Sequence, residues 1–169
     1  IFQVRIWSFN QNEKINKDFF YSKIKAALKY RESIVNQTET NAFRLINAEY
    51  DGLPGLVVDK YDNFLVCQFL ACGVEFFKEE IVDILQETIK CSGVFERSDV
   101  DVRLKEGLEL RTGVLFGSEP PSEILIQENG VQILVDVCQG HKTGFYLDQR
   151  QNRKNLIKYC KDKEVLNCF

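Results

Sequence analysis

Between Gln139 and Arg150 the chain reads Gln-Gly-His-Lys-Thr-Gly-Phe-Tyr-Leu-Asp-Gln-Arg, the densest polar run in its 169 residues. Gly140 and Gly144 permit a close backbone approach, and Thr143, Asp148 and Gln149 carry hydrogen-bonding groups. Phe145 and Tyr146 offer ring faces on which an adenine or another base could stack. Blander roles compete with these. Asp148 stands where a helix begins, so an N-cap explains it equally well. His141 titrates near neutrality and suits a general base, but it has no evident triad partner and reads as well as a surface-loop residue. Lys142-Thr143 is not a phosphate loop, because the preceding GxxxxG is missing.

A second charged run, Glu96-Arg-Ser-Asp-Val-Asp-Val-Arg103, follows a predicted strand end. Loops at strand ends commonly carry sites, so the run could position substrate. A salt-bridged loop is the alternative. The six cysteines (Cys67, Cys72, Cys91, Cys138, Cys160 and Cys168) form no CxxC pair, and most sit in apolar segments. They read as reduced, mostly buried thiols of a cytoplasmic protein. With one histidine in the chain, no metal site is expected.

The elements that position these runs follow from periodicity. Phe2–Phe9 alternates apolar and polar residues and predicts a strand with Phe2, Val4 and Ile6 on one face and Arg5 and Trp7 on the other. Asn16 is a helix cap, and Phe20, Ile24, Ala27, Leu28 and Val35 follow at helical spacing. Arg44–Glu49, Leu56–Tyr61 and Phe64–Leu70 read as strands turned at Asp51-Gly52 and Asp62-Asn63. Gly52-Leu-Pro-Gly55 predicts a stiff, tight connection. Val74, Phe77, Ile81, Ile84, Leu85 and Ile89 mark one amphipathic helix, and Val94–Glu96 a short strand. Residues 97–123 suit a long surface connection. Asn129-Gly130 predicts a hairpin between Ile124–Glu128 and Val131–Val137. Asp148–Cys160 reads as a helix and Val165–Phe169 as a buried strand of the kind that opens a doubly wound domain, whose cofactor loop follows the first strand.

Composition (44% hydrophobic, 28% charged) is that of an ordinary globular chain, and the longest apolar runs fall far short of a membrane span. The net charge of −3 gives no overall attraction for nucleic acid. Its distribution does more: residues 41–96 carry four basic and ten acidic side chains, residues 141–163 seven and two. Such asymmetry could make a phosphate-facing patch or a merely solvated helix face. The chain starts at Ile1 and contains no Met, which leads to the expectation that a preceding segment has been removed.

Four segments occur together and in order: Arg44-Leu-Ile-Asn-Ala-Glu-Tyr-Asp-Gly-Leu-Pro-Gly-Leu-Val-Val-Asp-Lys-Tyr61, Phe95-Glu-Arg-Ser-Asp-Val-Asp-Val-Arg-Leu-Lys-Glu-Gly107, Gly140-His-Lys-Thr-Gly-Phe-Tyr-Leu-Asp-Gln-Arg150 and Val165-Leu-Asn-Cys-Phe169. By these the chain resembles, over nearly its whole length, the ribosomal RNA large-subunit methyltransferase I family, which makes 5-methylcytosine in 23S rRNA. The resemblance implies an α+β fold: a small central sheet with packed helices, flanked by the last strand of a PUA-like domain and by the opening hairpin, helix and first strand of a Rossmann-like methyltransferase domain. Residues 1–10 would be the PUA remnant, 11–123 the central domain and 124–169 the start of the methyltransferase domain.

The resemblance also implies S-adenosyl-L-methionine as cofactor and 23S ribosomal RNA as partner, without a membrane and with a homodimer left open. Lys142, Thr143, Phe145, Asp148, Gln149, Arg150 and Asn167 would border the cofactor pocket. Arg97, Arg103, Lys105, Arg153 and Lys154 are the RNA-facing candidates. The family's Gly-rich turn, Asp-Pro-Pro-Lys segment and catalytic Ser-Cys-Ser are absent, so no catalytic residue is expected here. In such enzymes a cysteine thiolate attacks the base, and that cysteine would lie beyond Phe169. The chain alone is expected to be inactive and to bind the cofactor weakly. A stand-alone, non-enzymatic RNA-binding module is the rival reading, and a globular domain with a solvated basic stretch is the third.

Overall fold

A computed structural model describes residues 4–166. Helix α1 spans Lys17–Ile34 and begins where the sequence predicts, with the Asn16 side chain accepting from the Phe19 N–H at 3.1 Å. Phe20, Ile24, Ala27 and Arg31 share the buried face at helical spacing.

Five strands follow: β1 (Ala42–Asn47), β2 (Leu56–Tyr61), β3 (Phe64–Phe69), β4 (Gly93–Ser98) and β5 (Arg111–Gly117). They form one sheet in the order β1-β2-β3-β4-β5, antiparallel except for the parallel β3–β4 pair. Helices α2 (Cys72–Phe76) and α3 (Lys78–Thr88) make the crossover that a parallel pair requires. The turn before β2 closes tightly. Gly55 has φ +82° and accepts from the Leu70 N–H at 2.8 Å, and a Cβ there would sit 2.6 Å from the Ala71 Cβ.

Apolar layers cover both faces of the sheet. On one, α1 and α3 pack Phe20, Ile24, Ile81 and Leu85 against Leu45, Leu56, Val58, Leu65 and Phe69. On the other, Tyr61 and Val66 meet Ile124, Ile126, Val135 and Val137. The latter come from the hairpin β6 (Ile124–Glu128) and β7 (Val131–Val135) and the chain after it. Positive φ at both Asn129 (50°) and Gly130 (83°) makes the two-residue hairpin turn the sequence predicts. The hairpin is also tied to the loop before β1: the Asn129 N–H donates to Glu39 O at 2.8 Å. Beyond it come a 3-10 turn at Leu147–Gln149 and helix α5 (Arg150–Cys160), which buries no residue.

The chain is α+β with a mixed sheet, as expected, but several elements differ. The start is not a strand over its described part, and its faces are reversed: Val4 is 79% exposed, while Trp7 packs edge-on against Phe20 at 5.3 Å. Ring burial against α1 outweighs the alternation. Residues 97–123 are not simply a surface connection, since they contain helix α4 (Val102–Lys105) and the fifth strand. The expected single helix breaks into α2 and α3 at Phe77, whose backbone leaves the helical region. At the other end Val165 and Leu166 are exposed and form no strand, and 167–169 lie outside the described residues.

Candidate functional site

The loop 139–150 is fixed to the sheet by a buried polar chain. Arg44 on β1 and Asp59 on β2 are cross-strand neighbours, and the guanidinium grips the carboxylate with Nε–Oδ1 at 2.9 Å and Nη2–Oδ2 at 3.0 Å. These bonds raise the guanidinium's proton affinity further above its ordinary value, against a smaller opposing effect of burial. The Thr143 hydroxyl donates to the same carboxylate at 2.6 Å. With its proton so used, Thr143 Oγ1 accepts from the Tyr61 hydroxyl at 3.0 Å, and Tyr61 in turn accepts from the Phe145 N–H at 3.2 Å. Burial, and then the charge of Asp59, push the Tyr61 phenol well above its usual range, so it stays protonated as this role requires.

Arg97 on β4 makes a second tie. Its guanidinium donates to Val137 O at 2.8 Å and to Gly140 O at 3.1 Å, and pairs with Asp99. Gly140 has no room for a side chain, because a Cβ would meet Asp136 O at 2.2 Å. The loop is therefore rigidly referred to the sheet at residues 137, 140, 143 and 145.

This geometry divides the candidate residues. Thr143 is buried and its hydroxyl is spent. Phe145 packs in the second apolar layer beneath Arg153, whose guanidinium carbon lies 4.4 Å from the ring centroid. Both position the loop rather than meet a ligand. Lys142, Asp148 and Gln149 are exposed and Arg150 partly so. Lys142 stands 4.0 Å from Asp148 and 4.6 Å from the centroid of the exposed Tyr146 ring. Asp148 and Arg150 face Arg44 and Arg31 across a cleft of about 330 Å³. This rim presents cations for a carboxylate, an acceptor for hydroxyls and an aromatic face. Those groups fit one side of an amino-acid-bearing nucleoside. Asn167 lies outside the described residues.

The RNA-facing candidates divide in the same way. Arg97 and Arg103 are buried, with their guanidinium groups bonded inside the fold. Arg103 is 1% exposed and spends its donors on Glu75 at 2.8 Å, Glu109 O at 2.7 Å and Phe69 O. Arginine's fork allows this, matching several acceptors at once where they converge. Arg153 holds Glu128 with two bonds of 2.6 and 2.7 Å, docking α5 on the hairpin. Lys154 pairs with Glu39 at the surface, and Lys105 is exposed.

Sequence reasoning missed the partners Asp59, Arg44 and Tyr61. An acid and an arginine on adjacent strands were the available signal. It missed as well the basic, tyrosine-bearing surface of α1. Among the cysteines, burial raises the thiol pKa of Cys67, Cys91 and Cys138.

No family profile matches the chain. Individual proteins do. Over 167 residues, 99% of the chain, it is 54% identical to a Ribosomal RNA large subunit methyltransferase I of Vibrio parahaemolyticus and 51% identical to one of Aliivibrio fischeri. Identity to the protein of that name from Vibrio cholerae is 52% over 165 residues. The chain spans about 42% of the length of the first two and 41% of the third. Among solved structures, it is similar to a protein of Streptococcus mutans assigned as a SAM-dependent methyltransferase. The TM-score is 0.74 at 28% identity, covering 88% of this chain and 37% of the other. A second, with the same scores, is a methyltransferase assignment complexed with SAH.

Proposed function

We propose that this chain is the RNA-positioning region of an S-adenosylmethionine-dependent ribosomal RNA methyltransferase, acting on cytosine C5 of large-subunit RNA in the cytoplasm. The observation that carries it is the similarity of 51–54% over 99% of the chain to methyltransferases of that name. The four ordered motifs point the same way. By this reading residues 11–123 are a central RNA-engaging domain between a PUA-like remnant (1–10) and the start of the methyltransferase domain (124–169).

The loop 139–150 forms one edge of the cofactor pocket. Lys142 and Arg150 offer charge to the cofactor's carboxylate, Asp148 accepts from ribose hydroxyls, and Tyr146 presents its ring to the adenine. S-adenosylmethionine supplies a methyl carbon made electrophilic by its sulfonium. A thiolate added to the base would make cytosine C5 nucleophilic toward that methyl, and loss of the C5 proton with release of the thiolate would restore the ring. Thiols pushed toward the neutral form, such as Cys67, Cys91 and Cys138, are unsuited to that addition. By this reading the nucleophile belongs to another part of the enzyme, as the missing Ser-Cys-Ser segment implies, and this region alone does not turn over.

Calorimetric titration of S-adenosylmethionine into the 169-residue chain tests the reading. An edge without the rest of the pocket gives binding no tighter than roughly millimolar, a standard free energy of about −4 kcal/mol. Micromolar affinity, or methyl transfer to RNA by the chain alone, refutes it.

A further inference from the structure

We propose that the cleft between α1 and the 3-10 turn Ala48–Asp51 is a stacking site for an unpaired nucleobase of RNA. The cleft is shallow and open to solvent, measures about 490 Å³ and is lined by Lys23, Ala26, Tyr30, Glu49, Tyr50 and Gly52, among others. Lys23, Ala26 and Tyr30 are spaced i, i+3 and i+7, so they share one stripe of the helix. Ala26 leaves the space that the flanking longer side chains bound.

Two large aromatic surfaces meet water here. Tyr30 is 42% and Tyr50 67% exposed, their centroids are 6.1 Å apart, and their hydroxyls are hydrogen-bonded at 3.1 Å. Other tyrosines are as exposed, Tyr21, Tyr146 and Tyr159 among them, but these two lie edge to edge at the wall of one cleft. Their orientation is fixed from behind. The Arg31 guanidinium lies 5.1 Å from the Tyr30 centroid and 5.8 Å from that of Tyr50. Arg31 is itself clamped by Asp51 at 2.7 and 3.2 Å and by Arg44 O at 3.1 Å. A base stacking on this platform finds rings already held, so little side-chain entropy is lost.

The surrounding charge selects a nucleotide over a neutral aromatic ligand. Lys23 lines the cleft, and Lys25 and Lys29 stand on the same helix, in a protein that is acidic overall. The Lys23 Nζ lies 3.4 Å from where a Gly52 Cβ would stand, at the wall of the cleft. There it can meet a phosphate beside the stacked base. Asp51 is neutralised by Arg31. Glu49, exposed on the other wall, offers a carboxylate to a base's exocyclic amine. Aromatic platforms beside lysines are how proteins hold single strands without reading a duplex.

The inference rests on the RNA-engaging reading above. The test is fluorescence anisotropy with the full chain and three labelled probes: a single-stranded oligoadenylate, an abasic oligomer of equal length, and an RNA duplex. Tyr50→Ala and Tyr30→Ala are expected to weaken oligoadenylate binding by roughly fivefold or more. Tyr50→Phe keeps the ring and retains most of the affinity. Neither alanine variant changes binding of the abasic oligomer. Tyr50 is a surface residue, and circular dichroism verifies that the variants stay folded. If wild type binds with the usual salt dependence but Tyr50→Ala binds oligoadenylate equally well, the stacking site is refuted and the RNA reading stands. An equal loss on the abasic oligomer refutes it too. No binding of any probe at low salt removes both.

Discussion

The Thr143 hydroxyl donates to Asp59 at 2.6 Å across 84 positions of sequence, joining the loop after the hairpin to the second strand of the sheet. The same carboxylate receives Arg44 in two bonds. One buried anion thus serves the strand pair and the loop together.

Asp59→Asn keeps the shape and removes the charge. It is expected to cost about 2–4 kcal/mol, because Arg44 loses its counter-ion and one of the two acceptor oxygens becomes a donor. For a chain of this size that lowers Tm by roughly 5–12 °C in a circular dichroism melt. Thr143→Val should cost only about 1–2 kcal/mol but speed amide exchange selectively at Gly144 and Phe145. Asp59→Asn melting together with wild type would show the network to be unimportant.

Arg103→Met and Arg97→Met are predicted to act on stability and not on RNA contact. Removing one partner of a buried, hydrogen-bonded charge cluster costs about 3–5 kcal/mol. Urea midpoints should fall, while RNA affinity per folded molecule stays at the wild-type value. A variant of normal stability with lost RNA affinity would restore the nucleic-acid role.

Two neighbours on α5 should behave differently. Arg153→Ala breaks a two-bond pair with Glu128, whose side chain is only 4% exposed, and is expected to cost about 2–3 kcal/mol. Lys154→Ala breaks an open surface pair and should change stability by less than about 0.5 kcal/mol. Equal effects in chemical denaturation would contradict this reading of how α5 is docked.

The pH dependence has two limbs. Burial opposes ionisation of Glu75, but hydrogen bonds from Arg103 and Lys78 overcome it and hold the carboxyl below its usual range. A lowered carboxyl pKa stabilises the fold above the unfolded value, about 4.3, and that stability drains away as acid protonates the folded group. On the alkaline side Tyr61 works in the opposite direction. Its raised phenol pKa leaves stability intact below about pH 10 and erodes it above, where the unfolded chain ionises first. Urea midpoints across pH should show both limbs, with Glu75→Gln flattening the first and Tyr61→Phe the second.

Much of the fold was legible because its signals are local. Asn16 caps α1, Asn129-Gly130 turns the hairpin, and the apolar runs of β2 and β3 need no distant partner to be read. Strand β5 escaped because its side chains are largely exposed, so alternation has no buried face to report. Its pairing lives in backbone hydrogen bonds, which leave no mark on residue type. The site was harder for a related reason. Arg103 and Lys105 look alike in sequence, and only the convergence of Phe69 O, Glu75 and Glu109 O around one of them decides that it turns inward. Thr143 has the donor that a ligand site needs, yet Asp59 had already claimed it.

Strand β2 sends Leu56 and Val58 toward the helices and Asp59 and Tyr61 toward the hairpin. Sliding it by one residue against β1 would invert every side chain and drive the Asp59 anion among Phe20, Ile24 and Leu85. An unpaired carboxylate in hydrocarbon is among the most expensive errors a chain can make. A shifted β1–β2 register is thereby penalised, and the charge that anchors the loop also fixes the alignment of the sheet.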